Sequence, residues 1–215
     1  MKRPESNAKT ILAIETAIGS GSISILQNRS EIGSIDGGIS RAEDVLSGIK
    51  KILADSELTY REIDIIATSL GPGSFTGIRI GIATGLGLKR SLSAKLVRVN
   101  ALEAMSLQFP NELRGVVLPL GRGNYVLQEF DLTADPDSKP YVVNEEGLIQ
   151  IVGTRPGVRF IFHKDLEVVA AKRMPSENFS VSTEPLATLI GRWVLAGRGT
   201  EDGRPLYLRN REVAE

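Results

Sequence analysis

With 215 residues, 26 basic and 26 acidic side chains and no cysteine, the chain can form one domain or two lobes of about 100 residues each. The same figures argue against a disulfide scaffold, a thiolate zinc site and a globally basic nucleic-acid binder. His163 is the only histidine, so a histidine-rich metal centre is excluded and serine–histidine catalysis would have one residue to draw on. No run of about 18 apolar residues occurs, and MKRPESNAK leads straight into a short strand, which predicts a cytoplasmic protein with no membrane span.

In chain order, Thr10 to Glu15 reads as a buried strand, Thr16 to Gly21 as a turn of small residues, and Ser22 to Leu26 and Glu31 to Ile35 as two more strands, closed by Gly37-Gly38. Ser40-Arg41-Ala42-Glu43 has the form of a capping box and predicts a helix through Ala54. Its apolar stripe is Val45, Leu46, Ile49, Ile52 and Leu53. Thr59 to Glu62 repeats the capping pattern before the strand that begins at Ile65.

The most readable stretch follows: IIATSLGPGSFTGIRIGIATGLGLKRSL, strand, glycine loop, helix. Gly71-Pro72-Gly73-Ser74 breaks regular structure, with Gly71 expected extended before Pro72 and Gly73 free to take positive φ. The helix restarts at Ser74 or Thr76, either able to cap it. It carries Gly77, Gly81 and Gly85 at i, i+4, i+8, each costing about 1 kcal/mol relative to alanine. Such a face is explained by close approach of another element, either this chain's own sheet or a partner; Ile78 and Ile82 flank it. The loop also suggests an anion site of backbone N–H groups. It is neither a Walker A loop, because Ile78-Arg79 stands where Lys-Ser or Lys-Thr would, nor a dinucleotide fingerprint, because Thr76 replaces the third glycine. From Ile65 to Leu102 there is no acid, and Arg79, Lys89, Arg90, Lys95 and Arg98 sum to +5.

Strand Leu96 to Val99 and a helix capped by Asn100, running to about Gln108, complete an order β, β, β, α, β, α, β, α, which is the ribonuclease-H-like unit. Pro110-Asn111 marks a lobe boundary, dividing residues 1–109 from a smaller lobe 110–215. In that lobe Gly115 to Leu120, Tyr125 to Asp131, Tyr141 to Asn144 and Val158 to Phe162 read as strands, and Pro185 to Ala196 as a C-terminal helix. His163, at the end of its strand, reads as a structural residue.

The strand ILAIET, the strand GSISIL, the capped helix, GPGSFTGIRIG and NALEAM together resemble the TsaB family, formerly YeaZ, over roughly residues 10 to 108; PLYLRN resembles the family's tail. The resemblance implies an ASKHA fold, the α/β two-lobe architecture of actin, Hsp70 and sugar kinases. It implies a cytoplasmic, non-catalytic scaffold that pairs with a TsaD-like paralogue and works with a TsaE-like ATPase in making threonylcarbamoyladenosine on tRNA, with tRNA met only in the complex. It also implies self-pairing through the same two helices. Partner-contact candidates are Val45, Ile49, Ile52, Gly77, Ile78, Gly81, Ile82 and Gly85.

Catalytic ASKHA proteins place an acid at the end of the first strand, here Glu15, to organise Mg²⁺. They carry an Asp at the start of the second lobe, where this chain has Leu118, Pro119, Leu120 and Gly121. Family relatives usually have Asp-Ala-Arg there, so the second lobe departs from the pattern, as Arg41-Ala42 does from the usual His-Ser pair. The alternative reading is a small ASKHA ATPase or kinase with Glu15, Gly71, Gly73, Ser74 and Thr76 binding phosphate. No cofactor is expected within the chain, although a nucleotide at a subunit junction is compatible with the resemblance.

Overall fold

The computed structural model describes residues 9–39, 41–174 and 179–208. Ser40 of the expected capping box, and Arg209 and Asn210 of the tail motif, lie outside them.

Strands β1 (Thr10–Glu15), β2 (Ser22–Gln27) and β3 (Ser30–Asp36) form an antiparallel meander. Helix α1 (Ala42–Asp55), β4 (Ile65–Ser69), α2 (Phe75–Ser91), β5 (Lys95–Val99) and α3 (Ala101–Met105) follow. The sheet order is β3-β2-β1-β4-β5, with β1, β4 and β5 parallel. The chain then repeats itself: β6 (Arg114–Gly121), β7 (Asn124–Phe130), β8 (Tyr141–Asn144), α4 (Glu145–Thr154), β9 (Arg159–His163), α5 (Glu167–Arg173), β10 (Phe179–Ser182) and α6 (Leu186–Leu195). Its sheet runs β10-β9-β6-β7-β8, with β6 antiparallel to β7 and parallel to β9. Read from the other edge, this is the connectivity of the first sheet.

Residue alternation explains the layering. Along β1, Ile11 and Ala13 face the space between the sheets while Leu12 and Ile14 face α1, and all four are fully buried. In β6, Val116 and Leu118 face inward and Val117 outward; in β9, Ile161 faces inward and Phe160 and Phe162 outward. Strands buried on both faces need helices on both sides. Here α1 and α2 cover the outside of the first sheet, α4 and α5 the outside of the second, and α3 and α6 lie between the two. The result is the ASKHA architecture.

Three expectations need correction. Helix α6, assigned above to the 110–215 lobe, packs on β1 and β2 of the first sheet and on α3. Gly191 allows it to sit against Leu26, Ser22 Oγ accepts from the Ala187 N–H at 3.0 Å, and Ser24 and Thr188 hydroxyls meet at 2.7 Å. Helices α4 and α5 and strand β10 were not anticipated, although α4 carries a start signal in Asn144, whose Oδ1 accepts from the Gly147 N–H at 2.9 Å, followed by Glu145 and Glu146. At α1, the acid that closes the N-terminus is Asp44, whose carboxylate accepts from the Arg41 N–H at 3.0 Å.

Candidate functional site

The glycine loop joins β4 to α2. Ser69 Oγ accepts from the Gly71 N–H at 3.0 Å, and the Gly71 carbonyl accepts from Ala101 N–H at 2.9 Å, so the loop is tied to the start of α3. Gly71 has φ +90 rather than the extended backbone expected before proline. Of the two candidate caps, Ser74 is the one used: its Oγ accepts from the Gly77 N–H at 3.2 Å and α2 begins at Phe75.

What stands in front of the loop is the chain's own turn after β1. The Ser74 N–H donates to the Ala17 carbonyl at 2.8 Å. A Cβ on Gly73 would lie 2.4 Å from that same carbonyl oxygen. The Ser74 N–H, one of the donors a phosphate would use, is thereby taken by backbone, while the Ser74 and Thr76 side chains stay exposed.

The glycine face of α2 points the same way. A Cβ on Gly77 would meet the Thr16 carbonyl oxygen at 2.0 Å, one on Gly81 the Thr16 Oγ1 at 2.7 Å, and one on Gly85 the Thr68 methyl at 2.6 Å. The Thr16 hydroxyl donates to the Gly77 carbonyl at 2.7 Å. The glycines thus admit the β1–β2 turn and β4, and the groove faces inward. Val45, Ile49, Ile52 and Ile78 are buried in the core, and Ile82 is half-buried. As contact residues for a partner all of these but Ile82 are corrected by the packing: the buried ones bind the helices to their own sheet, and Ile82 keeps part of its surface open. The outward face of the same helices presents Leu46, Phe75 and Leu86, which are 52%, 50% and 44% exposed. Arg79 lies 3.7 Å over the Phe75 ring, and Tyr207 of the returning tail packs against it at 4.8 Å.

Glu15 ends β1 as expected, yet it is 1% exposed and its carboxylate is turned onto its own backbone, accepting from the Ala17 N–H at 2.5 Å and the Ile18 N–H at 3.0 Å. Burial outweighs these two bonds and raises its pKa to about 8, with Asp165 adding to the rise. The structure brings Glu15 together not with the glycine loop but with the end of β3 and the end of β9: a small crevice is lined by Glu15 and Asp36 from the first sheet and by His163, Lys164 and Asp165 at and after the end of β9. Lys164 pairs with Asp36 across it, and burial lowers the pKa of His163, whose Nδ1 lies 3.7 Å from Asp165. Sequence reading missed Lys164 and Asp165. Their only signal was position, three polar residues directly after a buried strand in the repeated unit. Among the described residues no group of three or more acids, histidines or cysteines is placed to hold a metal ion.

The family model of TsaD, tRNA N6-adenosine threonylcarbamoyltransferase, matches residues 38–120, the stretch holding α1, the glycine loop and α2. The tRNA threonylcarbamoyladenosine biosynthesis protein TsaB of Buchnera aphidicola subsp. Baizongia pistaciae is 40% identical over 86 residues, which is 40% of this chain and 39% of that protein. TsaB of Haemophilus influenzae is 33% identical over 99 residues, 45% of this chain and 42% of the relative. A solved structure from Pseudomonas aeruginosa, described as similar to peptidase YEAZ, superposes with TM-score 0.69 at 22% identity over 94% of this chain and all of that one. In its first half the chain is similar in sequence to the TsaB (YeaZ) proteins, and its whole fold is similar to that of the YEAZ-like structure. Matched segments span less than half of the length of these TsaB relatives, and the second sheet is joined to the family by fold alone. Among the described residues no helix is long and apolar enough to cross a membrane.

Proposed function

We propose that this protein works in tRNA threonylcarbamoyladenosine biosynthesis as a non-catalytic subunit that pairs with a TsaD-like partner. A TsaE-like ATPase joins that pair, and tRNA is met by the assembled complex. The observation that carries the reading is the outer face of α1 and α2, where Leu46, Phe75 and Leu86 stand about half exposed within the segment that matches the TsaD model. Covering apolar surface is worth about 25 cal/mol per Å², so large side chains left out on adjacent helices favour a partner. Two copies of this chain can use the same face for self-pairing. The glycine loop supports the non-catalytic half of the proposal, since its Ser74 N–H is already given to the Ala17 carbonyl. A nucleotide in the assembly would then sit at a subunit junction.

The test is co-purification with the TsaD homologue of the same genome, read by light scattering. A heterodimer formed by the wild type and lost in a Leu46→Asp, Leu86→Asp double variant is the expected result. Absence of any complex overturns the pairing. ATP turnover by the isolated chain, abolished in Glu15→Gln, overturns the non-catalytic role.

A further inference from the structure

Phe75, Arg79 and Tyr207 form an exposed cluster at the start of α2. Phe75 stands on the first turn, 50% exposed, and the guanidinium of Arg79, one turn on, lies 3.7 Å over the centre of its ring. Tyr207 meets the same ring at 4.8 Å and an angle of 46°, and is itself 40% exposed. Backbone pairing carries the tail to this point. Thr200 and Arg98 exchange hydrogen bonds at 3.0 and 2.7 Å, and the Leu206 N–H donates to the Leu70 carbonyl at 2.8 Å.

A guanidinium stacked on an aromatic ring keeps its N–H groups free at the edge of its plane and loses little freedom when they are taken. Among the described residues no carboxylate pairs with Arg79. Leu86 and Arg90, both exposed, continue its side of α2 at helical spacing, and no acid occurs from Ile65 to Leu102. On the neighbouring α1 the acids are answered within the chain. Glu43 lies 3.8 Å from Arg41, Asp44 accepts from the Arg41 N–H at 3.0 Å, and Asp55 pairs with Lys51 at 2.5 Å.

We propose that Phe75, Arg79 and Tyr207 anchor the pairing face, and that Arg79 takes a carboxylate from an apolar, acidic patch of the TsaD-like partner. The proposal rests on the reading that the outer face of α1 and α2 is the interface. Aromatic rings and arginine are the residues on which binding energy concentrates, and a forked contact between guanidinium and carboxylate fixes register. A second copy of this chain is the poorer occupant, because its α1 acids are already engaged and its Arg79 and Arg90 bring like charge. RNA is disfavoured because the exposed Leu46 and Leu86 share the face, where a phosphate backbone calls for a continuous row of cations.

Affinity for the TsaD homologue of the same genome is measured by calorimetry for the wild type and for Arg79→Lys, Arg79→Glu, Tyr207→Ala and Lys172→Glu, with light scattering and tRNA binding read on each chain alone. Arg79→Lys, which keeps the charge but loses the fork, and Tyr207→Ala should each weaken pairing about tenfold, and Arg79→Glu at least about a hundredfold. Lys172→Glu makes the same charge change as Arg79→Glu does in sign, on α5 outside the second sheet, and should alter pairing less than about twofold. All three side chains are exposed, so far-UV dichroism is expected to stay unchanged; should Arg79→Glu not fold, Arg79→Lys and Tyr207→Ala decide. A complex whose affinity is unchanged in the folded Arg79 variants, or falls equally in Lys172→Glu, overturns the anchor and leaves the pairing standing. No complex with the wild type overturns the pairing and the anchor together. Self-pairing as tight as pairing with the homologue and lost in Arg79→Glu assigns the cluster to a second copy, and tRNA binding by the isolated chain lost in that variant assigns it to RNA; either overturns the proposal.

Discussion

The Thr16 hydroxyl donates to the Gly77 carbonyl at 2.7 Å, and the Thr16 carbonyl oxygen stands 2.0 Å from where a Gly77 Cβ would be. This one contact decides which way α2 faces. A residue larger than glycine at 77 would push the helix off the turn after β1, and with it the Ser74 cap and the loop.

Gly77→Ala is accordingly expected to destabilise the fold by about 2 kcal/mol or more, overpacking outweighing the roughly 1 kcal/mol that alanine gains in a helix interior. Gly87, on the same helix with nothing within 4 Å of its Cβ position, is the internal control. Gly87→Ala should stabilise by about 0.5–1 kcal/mol. Urea denaturation of both variants checks the pair, and equal effects would contradict the inward orientation of the glycine face.

Leu46 and Ile49 separate pairing from folding in the same helix. Leu86→Asp or Leu46→Asp, on the exposed face, should change stability by no more than about 0.5 kcal/mol while weakening association measured by light scattering. Ile49→Ala, fully buried, should cost about 2–5 kcal/mol and reduce association only through loss of folded protein.

Glu15 gives the fold a pH dependence of definite sign. Its pKa is raised to about 8 in the folded state, above the value of about 4.3 in an unfolded chain. The folded state therefore holds the proton longer. Its contribution to stability is complete at acid pH, declines as pH rises from about 4.3 towards 8, by up to about 1.4 kcal/mol per unit, and is lost above that. Glu15→Gln should remove this decline and be more stable than the wild type at pH 8.5, as read from melting temperatures across the range.

Arg114 ties the start of the second unit to the first. Its guanidinium, 1% exposed, donates to the Ser106 carbonyl at 2.8 Å and to the Asp131 carbonyl. Arg114→Met fills much of the volume but takes the guanidinium donor from both carbonyls, the Asp131 one keeping the Ala134 N–H at 3.2 Å, and is expected to cost roughly 1–3 kcal/mol by chemical denaturation. A near-neutral result would mean that water replaces the guanidinium.

The sequence by itself determined the first half of this protein. Its turn chemistry, with Ser74 at a helix start and Asn100 at another, is local, and the apolar runs of β1 and β4 leave no reading other than buried strands. The GPGSFTGIRIG stretch tied that half to a family. It did not determine direction. Val45, Leu46, Ile49 and Ile52 form one helical stripe, and only the fold shows that Leu46 is turned out and the others in, because the sheet beneath α1 covers an arc of the helix that periodicity cannot delimit. The glycines of α2 carried the same ambiguity, close approach by a partner or by the chain itself, and it was resolved by Thr16, a residue 61 positions away. Tertiary structure alone returned α6 to the first sheet, through Gly191 on Leu26 and Thr188 on Ser24, and set Glu15 opposite Asp165 rather than the glycine loop. Those pairings join residues from opposite ends of the chain. Their energy comes from burial that exists only once both sheets have closed on α3 and α6.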